Sequence, residues 1–443
     1  MLTIDDQIIG VFGYGKTGLS AVRYLLRKKK SVVVFDTRTP PAKSEKIPGV
    51  EYNWEVTDWV RSDISTLIVS PGLRLDLPVL QKAKAKGVSI ESDIDLFFHD
   101  VGDKPVFGIT GTNGKSTVTT MLAHVFSENG YNCKCGGNLG TPALDLLNLD
   151  SEIYVLELSS FQLERLREYQ FECAAILNIS EDHLDHHKSM GDYISSKQKI
   201  FSNAKKCVFN RDDDKTYPKT TKQIASFGRG PQVTEFDWAV EDGPLGRFVT
   251  CNREKIIELG NLPPAGYQSD LNLLCVLAMA SDYVQPEEAV MALTTYQGLD
   301  HRYKEVLKLN EIAFINDSKA TNAGALISAL DNFSKQNVIL IAGGDSKGVD
   351  FEPLSSAFVG KVKCLIAMGK NGADIAGIAQ TLEIKTIFVM SIEEAVKVAH
   401  EDAEPGDTVL LSPACASFDM FENFEDRGKR FEKAVFALAG LGV

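Results

Sequence analysis

"FGITGTNGKST", Phe107–Thr117, decides how this chain is read. It ends as a phosphate-binding loop ends, in Gly114-Lys115-Ser116-Thr117. It sits between an apolar strand signal, "DKPVFGIT", and a helical pattern, "STVTTMLAHVFSENG", that stops at Gly130. The common form G-x-x-x-x-G-K-[ST] would need its first glycine at position 109, which is Ile109 here; the neighbouring glycines are Gly108 and Gly111. The strand–loop–helix setting still favours a phosphate. Gly108, Gly111 and Gly114 let backbone N–H groups converge, Lys115 supplies charge, and Ser116 or Thr117 offers a hydroxyl to Mg²⁺. The plainer alternative is a glycine turn before a helix capped by Ser116.

Outward from this loop, strand and helix signals alternate in both directions. Upstream, "QIIGVFGYG", "SVVVFD" and "STLIVSPG" read as strands, with a helix over roughly Gly18 to Arg27 after the first. Downstream, "EIYVLEL" and "FECAAILNIS" are strands and "NLLCVLAMASDYV" is a helix. The segment 205–262 looks polar and broken, with "RDDDK" as an exposed loop. Beyond a junction at "TYQGLDHRYK", the strands "EIAFIND", "NVILIAGG", "KCLIAMG", "KTIFVM" and "DTVLLSPA" alternate with helices such as "AGALISALDNF" and "SIEEAVKVAHE". Apolar strands separated by helices imply parallel sheets. The expected fold class is α/β, in three tandem domains: 1–97, 98–299 and 300–443.

Three further constellations bear on chemistry. Gly13-Tyr14-Gly15-Lys16-Thr17-Gly18 is a full G-x-G-x-x-G between a strand and a helix, and Asp36 ends the next strand. That arrangement favours a nucleotide's phosphates; an NAD site and a merely tight turn remain open on these residues alone. Glu157 ends the strand after the phosphate loop, a position suited to a metal, or to a capping or surface role. "SEDHLDHH", Ser180–His187, gathers Asp182, His183, Asp185, His186 and His187, but its spacing does not fit a zinc motif; one histidine assisting Mg²⁺ fits better.

Bulk properties exclude some classes. A formal charge of −13 argues against broad nucleic-acid binding. No apolar run approaches the roughly 18 residues of a membrane helix, and the opening "MLTIDDQIIGVFGYG" lacks a basic stretch before an apolar segment, so neither membrane insertion nor a secretory signal is expected. The eight cysteines form no C-x-x-C pair and read as reduced, cytoplasmic thiols.

Taken together, "TGTNGKST", "LELSSFQLE" (Leu156–Glu164), "NISEDHLDHH", "NDSKATN" (Asn316–Asn322), "AGGDSKGVDF" and "SPACASFDMFENFEDRGKRF" resemble the Mur ligase family, over essentially the whole chain. Family members use the first motif as an ATP loop with shortened glycine spacing, which accounts for the register. The long last motif resembles the branch that adds D-glutamate to UDP-N-acetylmuramoyl-L-alanine in peptidoglycan precursor synthesis. The resemblance implies a Rossmann-like N-terminal domain for the UDP substrate, a central P-loop-type ATPase domain, and a Rossmann-like C-terminal domain for the amino acid. UDP-substrate contacts would be Lys16, Thr17, Asp36, Thr37, Arg38, Ser70 and Gly72 of the Ser70-Pro71-Gly72 turn, with Asn138 and Gln162 facing the muramoyl part. ATP would lie on Gly111, Thr112, Asn113, Gly114, Lys115, Ser116 and Thr117, and the third domain would close over it with Arg302, Asp317 and Lys319. D-glutamate would meet Thr321, Lys347, Ser417 and Phe424. Two Mg²⁺ ions would involve Ser116, Glu157, His183 and a carbamylated Lys197, and Lys115, His183 and Lys197 would be catalytic. A cytoplasmic monomer is implied. Two departures stand out: Gln268-Ser269-Asp270-Leu271-Asn272 replaces H-N-x-x-N, so the family's adenine contact is not carried over, and Phe418 replaces a common leucine beside the D-glutamate residues. A dehydrogenase would explain only the N-terminal glycines; a nucleotide-dependent switch would explain only the central loop.

Overall fold

The structure, a computed structural model, describes residues 8–40, 45–167, 169–182, 186–219, 223–231, 233–244, 246–259, 269–346, 348 and 350–441. His183, Asp185, Gln268 and Lys347 lie outside the described residues. Spatial clustering divides the chain into two compact units, 1–179 with 183–258 and 274–292, and 180–182 with 259–273 and 293–443.

The first unit carries two sheets. Strands β1 (Ile8–Phe12), β2 (Ser31–Phe35), β3 (Glu51–Asn53), β4 (Ile64–Val69) and β5 (Ser89–Glu91) lie in the order 3-2-1-4-5, all parallel. The order reverses between β1 and β4, and in such sheets ligands bind beyond the C-terminal strand ends at that point. The helix after β1, Lys16–Arg27, starts two residues earlier than its apolar pattern suggests. Its glycines have a steric cause. A Cβ on Gly18 would come 1.9 Å from the Gly13 carbonyl oxygen, so only glycine lets the helix pack so tightly on the turn.

The second sheet has β6 (Val106–Thr110), β7 (Cys133–Gly137), β8 (Ile153–Glu157), β9 (Phe171–Ile176), β10 (Ala204–Asn210), β11 (Gln223–Phe227), β12 (Asp237–Gly243), β13 (Gly246–Cys251) and β14 (Glu254–Glu258), in the order 14-13-12-11-10-9-6-8-7. Strands β6 to β12 pair in parallel, and β12–β13–β14 pair antiparallel. The segment read as polar and broken is therefore sheet. Its alternating polarity reflects strands whose faces are unequally buried, as antiparallel edges allow. "RDDDK" is a loop with Asp212, Asp214 and Lys215 exposed, as expected, but its first and third residues are anchored. Arg211 is buried, donating to the Gly228, Gly230 and Trp238 carbonyls, and Asp213 accepts from the Ile179 N–H at 2.7 Å. Charge alone suggested solvent for all five, but Arg211 and Asp213 satisfy backbone atoms at and beyond the ends of interior strands.

The second unit contains β15 (Lys304–Leu309), β16 (Ile312–Asn316), β17 (Val338–Ala342), β18 (Val362–Ala367), β19 (Lys385–Phe388) and β20 (Thr408–Leu411), in the order 15-16-20-17-18-19. All pairs are parallel except the edge hairpin β15–β16, which was not apparent in the sequence. Three parallel-rich α/β sheets thus match the expected fold class. Strands β17 and β20 are buried throughout and divide two apolar cores, one on each face of the sheet.

Candidate active site

The phosphate loop leaves the C-terminal end of β6 and enters the helix Lys115–Glu128. Gly114, at φ 84°, holds the left-handed turn that starts this helix and has no side chain to cap it, contrary to the Ser116-cap alternative. A helix start of this kind presents its first N–H groups to an anion. The loop is pinned from behind by Asn178, which follows β9. Asn178 accepts from the Asn113 N–H at 2.9 Å and the Thr112 N–H at 2.9 Å, and donates to the Asn113 carbonyl at 3.1 Å. Thr112 also meets the Tyr193 hydroxyl at 3.1 Å. Asn178 and Tyr193 were not singled out from the sequence. The asparagine directly after an apolar strand was a usable signal; Tyr193 gave none.

Glu157, 3% exposed at the end of β8, faces the loop. One carboxylate oxygen accepts from the Ser116 hydroxyl at 2.5 Å and the other from the Asn138 amide at 2.6 Å. Lys115 folds back onto the Gly111 and Thr112 carbonyls at 2.9 and 2.8 Å. Lys197, on the helix Met190–Gln198, is 2% exposed rather than a surface lysine; its Nζ donates to the Gly111 carbonyl at 2.8 Å and sits 4.6 Å from the Tyr193 ring centroid. Gly111, Lys115, Ser116, Glu157, Asn138 and Lys197 are therefore one constellation. The oxygen donors Glu157 and Ser116, side by side, suit a small hard cation such as Mg²⁺. Of the histidine cluster, His187 meets Ser160 at 2.9 Å and His186 meets Glu164 at 3.4 Å, while His183 and Asp185 lie outside the described residues.

Asp36 plays a different part from a free ribose acceptor. Its carboxylate, 1% exposed, accepts from the Tyr14 N–H at 2.7 Å, the Arg38 N–H at 2.9 Å and the Arg38 guanidinium at 2.8 and 2.9 Å. Burial acts to raise its pKa, but the Arg38 guanidinium and the two backbone donors outweigh it and hold the carboxyl below its ordinary value. Asp36 thus ties the glycine turn to Arg38. Lys16 reaches across to the Gly140 carbonyl at 2.6 Å, and Thr37 is exposed beside Arg38. Ser70 donates to the Gly13 carbonyl at 2.7 Å, so the Ser70-Pro71-Gly72 turn lies against the glycine loop. Gln162 is 2% exposed and caps its own helix, accepting from the Ser159 N–H at 3.1 Å.

In the second unit, Arg302 is flanked by two left-handed residues, His301 at φ 62° and Tyr303 at φ 48°. Both are held in place. The His301 ring meets Asn316 at 2.9 Å and Glu432 at 3.3 Å, and the Tyr303 N–H donates to Asp317 at 3.1 Å. Complete burial pushes the Asp317 carboxyl up to about 7, against the opposing Ser412 hydrogen bond. The Lys319 N–H donates to the His301 carbonyl at 3.0 Å, and its ammonium lies 3.9 Å from the Phe424 ring centroid. Thr321 precedes the Asn322 cap of the helix Ala323–Leu330, and Ser417, 3% exposed, begins the turn that leads to Phe424. Phe418 is 67% exposed. Arg427, missed in the sequence, is 1% exposed; it joins Ser318 (2.7 and 2.9 Å) to the Cys415 carbonyl (3.1 Å).

Comparison with known proteins agrees along the chain. Residues 7–92 match the Mur ligase MurD-like N-terminal domain, 109–280 the Mur ligase middle domain, and 301–415 the Mur ligase glutamate ligase domain. The UDP-N-acetylmuramoylalanine–D-glutamate ligase of Pseudomonas fluorescens is 40% identical, over 99% of this chain and 100% of its own. The enzyme of the same name from Marinobacter nauticus is 37% identical, over 98% and 99%. Among solved structures, UDP-N-acetylmuramate-alanine ligase from Thermotoga maritima shares the fold, with a TM-score of 0.61 at 19% identity over 98% of this chain and 99% of its own. A bifunctional folylpolyglutamate synthase/dihydrofolate synthase from Yersinia pestis gives 0.55 at 16% identity, over 79% and 93%. On its sequence, its sheets and its full-length relatives, the chain belongs to the Mur ligase family.

Proposed function

We infer that this chain is an ATP-dependent amide ligase that joins D-glutamate to UDP-N-acetylmuramoyl-L-alanine in peptidoglycan precursor synthesis. The observation that carries the reading is the phosphate loop with Lys115 and Ser116 set against Glu157, in a chain similar end to end to ligases of that name. The alanyl carboxylate attacks the γ-phosphorus of ATP; ADP leaves, and an acyl phosphate forms. The D-glutamate amine attacks the acyl carbon, an amide forms, and phosphate leaves with the electron pair of the broken C–O bond. Several anions must meet, so positive charge and N–H donors are the main requirement. Lys115 and the N–H groups of Gly111–Thr117 serve the triphosphate, and Arg302, Asp317 and Lys319 are further ATP residues. Mg²⁺, when bound, supplies charge neutralisation; Ser116, Glu157, His183 and a carbamylated Lys197 would hold it. Thr321, Lys347, Ser417 and Phe424 serve D-glutamate.

The proposed division is 1–97 for the UDP substrate, 98–299 for ATP and 300–443 for the amino acid. Lys16, Thr17, Asp36, Thr37, Arg38, Ser70 and Gly72 receive the nucleotide, and Asn138 and Gln162 the muramoyl part. Among the described residues no helix is long and apolar enough to cross a membrane. The reading is of a monomer working in the cytoplasm, where ATP and the nucleotide sugar are available.

Titration calorimetry tests the nucleotide assignment. UDP-N-acetylmuramoyl-L-alanine is expected to bind and NAD to give no heat. Asp36 accepts from Tyr14 and Arg38 at both oxygens, so it serves the UDP nucleotide by holding the turn and Arg38 in place, and a dinucleotide's ribose finds no open acceptor there. Tight NAD binding with none of the UDP compound would return the N-terminal glycines to a dinucleotide site.

A further inference from the structure

Arg165 lies just after the helix Ser160–Leu163 and is 7% exposed. The two terminal nitrogens of its guanidinium are spent on backbone oxygens. One terminal nitrogen donates to the Val69 carbonyl at 3.2 Å and the Ser70 carbonyl at 2.8 Å; the other donates to the Pro71 carbonyl at 3.2 Å and to that of Leu73. Burial draws the guanidinium pKa down to about 10, against the opposing charges of Glu164 and Asp93. A cation in so dry a place needs a reason. The turn it grips has other anchors: the Ser70 N–H to the Phe12 carbonyl at 2.9 Å, the Ser70 hydroxyl to Gly13, and the Leu73 N–H to Ser70 at 3.1 Å. Holding the chain in place therefore does not require a fork on four turn oxygens, those of Val69, Ser70, Pro71 and Leu73. Setting the direction of its peptide planes does.

In a trans peptide the C=O and the following N–H point in opposite directions. The described peptide bonds include no cis bond. The Pro71 carbonyl turned to Arg165 therefore sends the Gly72 N–H the other way, and the Leu73 carbonyl does the same for the Arg74 N–H. The two remaining planes offer nothing new, since the Ser70 N–H is used by Phe12 and Pro71 has none. Gly72 is exposed, and the turn lies against Gly13, where a Cβ would come 2.8 Å from Ser70 Cβ. The same short segment carries Gln162, three residues earlier. Arg165 thus joins the nucleotide-side turn to the helix that bears a muramoyl-side residue.

We propose that Arg165 is a positioning residue for the nucleotide-sugar substrate: it orients the 69–73 turn so that the Gly72 N–H faces the diphosphate, and it ties that turn to the Gln162 helix. This rests on the reading that the N-terminal sheet receives the UDP substrate.

Arg165→Lys and Arg165→Met test it in the full-length chain, by steady-state kinetics and by calorimetry with UDP-N-acetylmuramoyl-L-alanine. Lysine keeps a cation but loses the planar fork. KM and Kd for the UDP compound are expected to rise on the order of 10-fold in Arg165→Lys and further in Arg165→Met, by loss of charge-assisted hydrogen bonds. KM for ATP and D-glutamate is expected to stay within about twofold, as for removal of ground-state binding to one substrate. Retained ATP binding reports folding; should Arg165→Met fail to fold, Arg165→Lys decides. Unchanged affinity for the UDP compound in a folded variant, or an equal rise in KM for all three substrates, overturns the proposal. A wild type that does not bind the UDP compound brings down the reading beneath it as well; a wild type that binds, with variants that bind equally, removes Arg165 alone.

Discussion

Lys115→Ala loses ligase turnover by on the order of 10²-fold or more while the chain stays folded. The expectation follows from two features of the loop. Lys115 starts a helix whose cap, Gly114, has no side chain, so the lysine is the charged group placed closest in sequence to the first-turn N–H groups. In the structure it donates to the Gly111 and Thr112 carbonyls of its own loop. Losing charge-assisted bonds of this kind costs stability, on the order of 1.5–3 kcal/mol each, which a melt reads directly. Removing a charge from the transferring phosphoryl group costs about 2.7 kcal/mol or more at the transition state, the equivalent of a hundredfold. Phosphate release under saturating substrates, with a thermal melt alongside, separates the two. Wild-type release by this variant would contradict the placement of ATP at this loop.

Lys197→Ala is expected to be nearly inactive and partly rescued by acetate or formate. Lys197 is buried beside Gly111 and Tyr193, and Glu157 holds the neighbouring Ser116. A plain ammonium there would repel Mg²⁺. Addition of CO₂ to the neutral amine, with loss of a proton, forms a carbamate, which is an anion of carboxylate type and suits a hard cation. A small carboxylate could occupy the space that alanine leaves. Lys199 provides the contrast: it is exposed and donates to the Glu164 carbonyl at 2.6 Å, so Lys199→Ala is expected to be mild. Labelled bicarbonate gives a readout independent of turnover, a carbamate ¹³C resonance present in wild type and absent from Lys197→Ala. Full activity of that variant, or no such resonance in wild type, would remove the carbamate.

Much of this architecture can be read locally. Strands β1, β2, β4, β6, β16, β17, β18 and β20 are apolar runs bounded by turn residues, and buried parallel strands look that way in any context. The glycine–lysine loop was legible despite its register because strand, loop and helix are consecutive in sequence. What escaped reading depends on contacts distant in the chain. The β12–β14 hairpins have mixed faces, and only their neighbours decide which side is covered. Arg165, Arg211 and Arg427 look like solvent-facing charges, yet each satisfies carbonyls brought near by folding. Lys197 looks equally exposed until the helix Met190–Gln198 is laid against the phosphate loop. Gln162 carries two signals at once. S-x-x-Q is a capping box, and the local bond to Ser159 is made, while the resemblance of "LELSSFQLE" implies a ligand contact.

The measurement that bears most directly on the account is release of inorganic phosphate from ATP in the presence of Mg²⁺, with each other substrate supplied alone and both together. Sustained release is predicted only when UDP-N-acetylmuramoyl-L-alanine and D-glutamate are both present, with one ADP and one new amide formed per phosphate. Hydrolysis of ATP at the same rate without either compound, or hydride transfer to NAD in its place, would contradict it.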